Sequence, residues 1–358
     1  MAYQNVGQCR FYVNILEWLH SVGGLTNSTN LDMALTSPIS PITRSSTYDW
    51  NGSNNCIFFP EVVATVASLI GTKGFVAHLG HNYKSCELSV QADQGSPDYY
   101  SVGFTEDVIN STQYADGRIK CDYDGFSIYL ADYSSQADNP QLNPRLRYDY
   151  IGSGDAYNGV DVKVGSIILG SYYDIPHSPD LKLTMTREMD GVKRIRTKGG
   201  ADLVHHNYTK PSSWGDAGAW ELYTGTPPSH TLARSGRRVW DLSFSYLQDS
   251  DVMGSNQSLG EWVENYGYSP IPETTEGYDT DDFHDGGEWK YNILTDENFF
   301  SQVIHKTNGG QLPFIFQPDK DNNNPDQFAI AKFDMNSFSF QQTSPSLYTC
   351  KVRIREVW

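Results

Sequence analysis

Apolar and polar residues alternate most regularly near the end of the chain, where Tyr348, Cys350, Val352 and Ile354 interleave with Thr349, Lys351, Arg353 and Arg355. A period of two sends successive side chains to opposite faces of a strand, so the pattern predicts one from Tyr348 to Trp358. Trp240, Leu242, Phe244 and Tyr246 predict a second strand face, with Asp241, Ser243 and Ser245 opposite. Leu181, Leu183 and Met185 alternate with Lys182, Thr184 and Thr186, and a run from Val192 to Thr197 follows across Asp190-Gly191. Asp-Gly between two alternating runs predicts a hairpin. An aromatic strand is expected over Leu312 to Phe316, and short alternating runs from Phe75 to Leu130 have the spacing of a β-sandwich.

Helical spacing is confined to two places. Ile15, Trp18, Leu19 and Val22 recur at that spacing and stop at Gly23-Gly24. A second helix fits Asp296 to Thr307, with acids in its first turn, Lys306 in its last and Gly309 beyond. Glu61 to Ile70 fits either helix or strand. Asp132 to Gly159 is dense in Asp, Asn, Pro and Gly and reads as a boundary. The expected fold is therefore all-β with two short helices, built as β-sandwich domains. Residues 1–150 would form a β-rich accessory or docking domain, and 160–358 a sandwich with a flanking helix near 296–307.

Composition narrows the function. Tyrosine dominates the aromatic residues (23 Tyr), which suits half-buried strands and broad polar interfaces. A net charge of −17 argues against a nucleic-acid backbone as partner. That charge is uneven: residues 182–238 carry ten Lys/Arg against five Asp/Glu (+5), and residues 249–297 thirteen Asp/Glu against one Lys (−12). Two such blocks either solvate separate faces or pair between copies, which would give a head-to-tail contact that closes into a ring. No leader is expected, since a basic n-region is missing and Asn14, Glu17 and His20 interrupt the first apolar stretch. No membrane insertion is expected either, because no apolar run approaches the roughly 20 residues that span a bilayer. Cys9, Cys56, Cys86, Cys121 and Cys350 contain no CxxC pair and read as reduced thiols of a cytoplasmic protein, with a zinc site or a disulfide as the alternative. On that reading the sequons at Asn27, Asn110 and Asn207 are chance.

Catalytic chemistry leaves little trace. His78-Leu79-Gly80-His81 lacks the glutamate of a zinc-protease helix, and adjacent His205-His206 would face opposite sides of a strand. Asp319 to Asn323 begins like a calcium loop, but Asn324 stands where a glycine is needed and Ile330 where the bidentate glutamate belongs. Asp279, Asp281, Asp282, Asp285 and Glu288 read as a solvated acidic loop, with a structural cation as the alternative. Trp214 and Trp220 either cap a sandwich end or form a sugar-stacking platform. A paired-carboxylate glycosidase remains open, because such pairs are placed by fold rather than spacing. No cofactor and no enzymatic activity are expected.

One stretch carries a resemblance. Phe299-Phe300, His305-Lys306, Gly309-Gly310 and Pro313-Phe314-Ile315-Phe316 resemble a pattern in tail-tip proteins of tailed bacteriophages, a helix ending in glycine followed by an aromatic strand. The closing Arg355-Glu356-Val357-Trp358 and the Arg-rich entry Arg234 to Phe244 are similar to the same proteins, and Tyr172 to Asp180 resembles marine phage virion proteins. The resemblance covers roughly residues 160–358. It implies a distal-tail or tail-tip protein that forms a ring, typically of six copies, and joins the tail tube to the baseplate, hub or fibres. It also implies assembly in the bacterial host cytoplasm and residence in the virion tail, with no catalytic residues. Within it, Arg187, Lys193, Arg194, Arg196, Arg234, Arg237 and Arg238 are expected to meet Asp279, Asp281, Asp282, Asp285 and Glu288 of a neighbouring copy. The alternatives are another virion role (tube, connector or head decoration) and a carbohydrate- or receptor-binding module.

Overall fold

The computed structural model describes residues 6–23, 69–82, 84, 103–113, 119–134, 163–189, 191–205, 217–226, 236–252, 293–345 and 347–357, with the backbone of strands at 45–46, 55–58, 86–93, 99–101, 143–150 and 213–214. The chain is all-β with few, short helices. Thirteen strands carry the argument: β1 (Arg10–Asn14), β2 (Gly74–His81), β3 (Gly103–Ile109), β4 (Gly125–Asp132), β5 (Ser166–Asp174), β6 (Thr184–Glu188), β7 (Lys193–Arg196), β8 (Asp202–His205), β9 (Arg237–Leu247), β10 (Phe314–Gln317), β11 (Ala329–Phe333), β12 (Phe340–Ser344) and β13 (Leu347–Glu356). Eleven of them form one antiparallel sheet in the order β6-β9-β13-β11-β10-β1-β5-β2-β4-β3, with β12 beside β13. A six-stranded sheet contains Asn55–Phe58, Asn143–Tyr150, Cys86–Asp93, Ile119–Lys120, Thr112–Gln113 and Tyr99–Ser101. Among the described residues β7 pairs only with β8.

At the centre of the large sheet both faces are buried. Alternation along β1 sends Phe11 and Val13 into one apolar cluster and Tyr12 into another. Phe11 lies 5.2–6.0 Å from the rings of Phe299, Phe314, Phe316 and Phe333. Two helical elements cover that face. The first, α1 (Ile15–Ser21), is opened by Asn14, whose Oδ1 accepts from Glu17 N while its Nδ2 donates to the Glu17 carboxylate. The first of these bonds satisfies a backbone donor that the helix itself cannot. The second is a π-helical turn, Phe300–Ile304, running into a 3-10 turn, His305–Thr307. It starts later than the acids at Asp296 and Glu297, on Asn298, whose Oδ1 accepts from Ser301 N at 2.8 Å. Asn308, Gly309 and Gly310 then reverse the chain at φ 51°, 69° and 86°. A Cβ on Gly310 would sit 2.8 Å from that of Phe333, so this turn needs glycine twice over.

Several expectations change. β1–β4 precede residue 150 and the other strands of the sheet follow it, while β1 bonds to β5 on one side and β10 on the other. The division between 1–150 and 160–358 is therefore not a division of this sheet, and within the expected boundary Asn143–Tyr150 is a strand. Turn-rich composition reports local bending and is blind to long-range pairing. The hairpin across Asp190-Gly191 is not formed: the chain does turn there, with Gly191 at φ 91°, but β6 pairs with β9. Tyr246 does not join Trp240, Leu242 and Phe244 inside. A register shift after Phe244 and φ 66° at Tyr246 turn its ring out to 71% exposure, and Leu247 takes the inward place. The terminal strand behaves as its alternation predicts, with Tyr348, Cys350, Val352 and Ile354 buried; Trp358 lies outside the described residues.

Candidate functional site: an exposed basic arm

Beyond β6 the chain leaves the sheet as the β7–β8 hairpin. Its turn is closed by Thr197 N donating to Ala201 O at 2.8 Å and by Ala201 N donating to Thr197 Oγ1 at 3.0 Å, with Gly200 at φ 84°. Every residue of β7 and β8 is exposed. Directly opposed residues share a face. Lys193 with His205 and Ile195 with Leu203 make one face; Arg194 with Val204 and Arg196 with Asp202 make the other. The ribbon thus has an apolar centre on one side, Ile195 and Leu203 being 63% and 59% exposed, and a charged side where Arg196 Nε donates to Asp202 Oδ1 at 3.2 Å. Among the described residues, eight of the twelve exposed large hydrophobics fall between Leu181 and Val204. A two-stranded hairpin alone is marginal in water. Ile195 and Leu203 are only partly exposed, so covering both would gain about 2–3.5 kcal/mol.

The expected interface residues fall in different settings. Lys193, Arg194 and Arg196 sit together on the arm, and Arg187 lies exposed on β6. Arg237 is half-buried at the start of β9. Arg238 is nearly buried, and its guanidinium is engaged inside the subunit. Its Nη2 donates to Glu356 Oε1 at 2.9 Å and to Phe328 O at 2.6 Å, its Nε to Glu356 Oε2 at 3.1 Å, and its Nη1 to Asp326 O. The guanidinium also lies 5.2 Å from the Trp240 ring. Glu356 is 118 residues away, so nothing local in the sequence marks the pair. Arg355 is engaged inside the subunit as well, with Glu188 at 2.7 Å. Arg234, Asp279, Asp281, Asp282, Asp285 and Glu288 lie outside the described residues.

Other candidates resolve as structure. His78 and His81 lie buried in β2 with rings 6.5 Å apart, and burial pushes His78 down to about 3, which keeps it neutral. Among the described residues no three His, Cys, Asp or Glu side chains are grouped to hold a metal. Cys9, Cys121 and Cys350 are buried, reduced cysteines. The oxygens of the 319–324 loop are turned inward on the loop: Asp319 Oδ1 accepts from Asp321 N, Asn322 Oδ1 from Asn324 N, and Asn323 Oδ1 from Gln317 Nε2. Trp220 is half-buried and packs on Phe126 and Phe328 at 5.0 and 5.7 Å, while the Trp214 side chain lies outside the described residues.

One buried group was not foreseen. Lys306 is fully buried, its Nζ donating to Leu69 O at 3.1 Å and Gln302 Oε1 at 2.7 Å, and burial pushes it down to about 7. Leu69 and Gln302 also line a cavity of about 60 Å³, flanked by the Lys73–Glu297 pair. That volume holds a few waters rather than a substrate. The sequence signal was a lysine on the apolar side of the second helix, read there as a terminal charge. No protein family, curated protein or solved structure matches this chain.

Proposed function

We propose that the chain is a structural subunit of a tailed-bacteriophage virion, of the distal-tail or tail-tip kind, whose β-sandwich body builds a ring of six copies joining the tail tube to the tip, hub or fibres. The observation that carries this reading is the β7–β8 arm, exposed throughout, with Ile195 and Leu203 together on one face and Arg194 and Arg196 on the other, a surface suited to a partner. A second copy is the natural partner. The arm and its flanks are basic, and residues 249–297 carry −12. Support also comes from the order of helix, left-handed glycine turn and aromatic strand over 298–317, which matches the tail-tip resemblance.

The contact is tested by reversing Arg194 and Arg196 to glutamate. The expected result is a folded protein with an unchanged melting curve that no longer forms the ring. A double variant that still assembles at physiological salt would remove the arm from the interface. The pair Arg237 and Arg238 is a poor choice for this test, since reversing Arg238 would break the Glu356 contact inside the subunit.

A further inference from the structure

β6 ends the eleven-stranded sheet. Among the described residues it is bonded to β9 on one side, and the strand order stops there. An edge strand offers a row of backbone donors and acceptors, which proteins blunt with bulges, proline or covering segments when the edge is not used. The opposite edge, β3, shows such a device: its register against β4 shifts twice. β6 shows no register shift against β9, and Leu181 to Met189 contains neither proline nor glycine. The apolar side chains along this stretch face solvent, Leu181 at 85%, Met185 at 50% and Met189 at 45%.

The order of residues outward from Met185 is self-complementary. Laid antiparallel on a second copy about that residue, Thr184 meets Thr186, Leu183 meets the stem of Arg187, Lys182 meets Glu188, and Leu181 meets Met189. Glu188 is already held by Arg355. A two-fold contact requires this property, one patch that complements itself. We infer that two copies of the chain join edge to edge through β6, antiparallel about Met185, so that two eleven-stranded sheets continue as one. The contact uses neither the β7–β8 arm nor its charges, and so stands apart from the ring.

The test is a Met185→Cys variant of the full chain under mild oxidation, read by mass under non-reducing conditions. Antiparallel opposition about residue 185 places its two copies about 4.5–5.5 Å apart at Cα, within disulfide reach. Covalent dimer is expected as the main species, while Thr184→Cys, whose copies would not be opposed, stays at the wild-type level. Cross-linking of Met185→Cys no greater than wild type, or equal for both variants, overturns the proposal. Lys182→Glu sets like charges opposite each other twice and should weaken the non-covalent dimer about tenfold; an unchanged dissociation constant overturns the register. If Met185→Cys dimers form and no six-copy ring does, the edge contact holds and the ring fails. A ring whose Met185→Cys subunits remain uncross-linked means the converse, that the ring holds and the edge contact fails.

Discussion

Arg238 and Lys306 show how far single residues depend on partners that sequence does not reveal. Arg238 and Glu356 are both nearly buried, with side chains 12% and 8% exposed. Removing one partner strands the other, so Arg238→Ala should cost about 3 kcal/mol in a urea titration. A loss below ~1 kcal/mol would mean that the cage is incidental. Lys306 titrates near 7 when folded and near 10.5 otherwise. Between those values the unfolded chain holds a proton that the folded chain lacks. The lysine therefore penalises folding most at and below about pH 7, and the penalty fades as pH rises. Lys306→Met should be more stable than wild type by a margin that shrinks from pH 7 to 9; a constant margin contradicts a neutral buried amine. Tyr246 makes the same point differently. Its alternation is regular in sequence, and only a backbone bulge turns it outward.

At the scale of elements, what was legible depended on how local the cause was. The terminal strand was readable because every second position is buried and those between are half-buried or exposed, and α1 because glycine at Gly23 takes φ 74° where the helix stops. The β6–β7 hairpin was misread because Asp190-Gly191 specifies a turn without specifying that its flanks pair. β6 instead runs along β9, with Met185 beside Trp240 and Thr186 beside Val239. That preference is set by the core, 50 residues further on. The terminal strand stands between β9 and β11, pairing Arg355 with Val239 and Glu356 with Ala331. Deleting residues 355–358 removes both pairings and the Glu356 carboxylate that Arg238 binds. The truncated chain should lose at least as much stability as Arg238→Ala, and an unchanged melting curve would show the strand end to be dispensable.

Across the whole molecule, β1 sits in the middle of a sheet whose other strands come from all along the chain, so a linker-like composition near residue 150 marks no break in it. All-β character was visible because it is the sum of many local periods; sheet order was not, because it is a sum of long-range choices. The basic arm was half visible. Its charges stood out in sequence, but the count also included Arg238, which the fold uses internally. What distinguishes the surface is the coincidence of charge with exposed Ile195 and Leu203 on a ribbon that, among the described residues, pairs only with itself. The central claim is that this arm assembles copies of the chain through complementary charge. The most direct measurement is the native mass of the purified protein across a salt series, since screening shortens the reach of exposed charges. The expected result is a closed assembly of six copies, or twelve where two rings join through β6, that loosens as salt rises. A monomer, or nothing beyond a dimer, at every salt concentration would contradict the arm as a ring-forming contact.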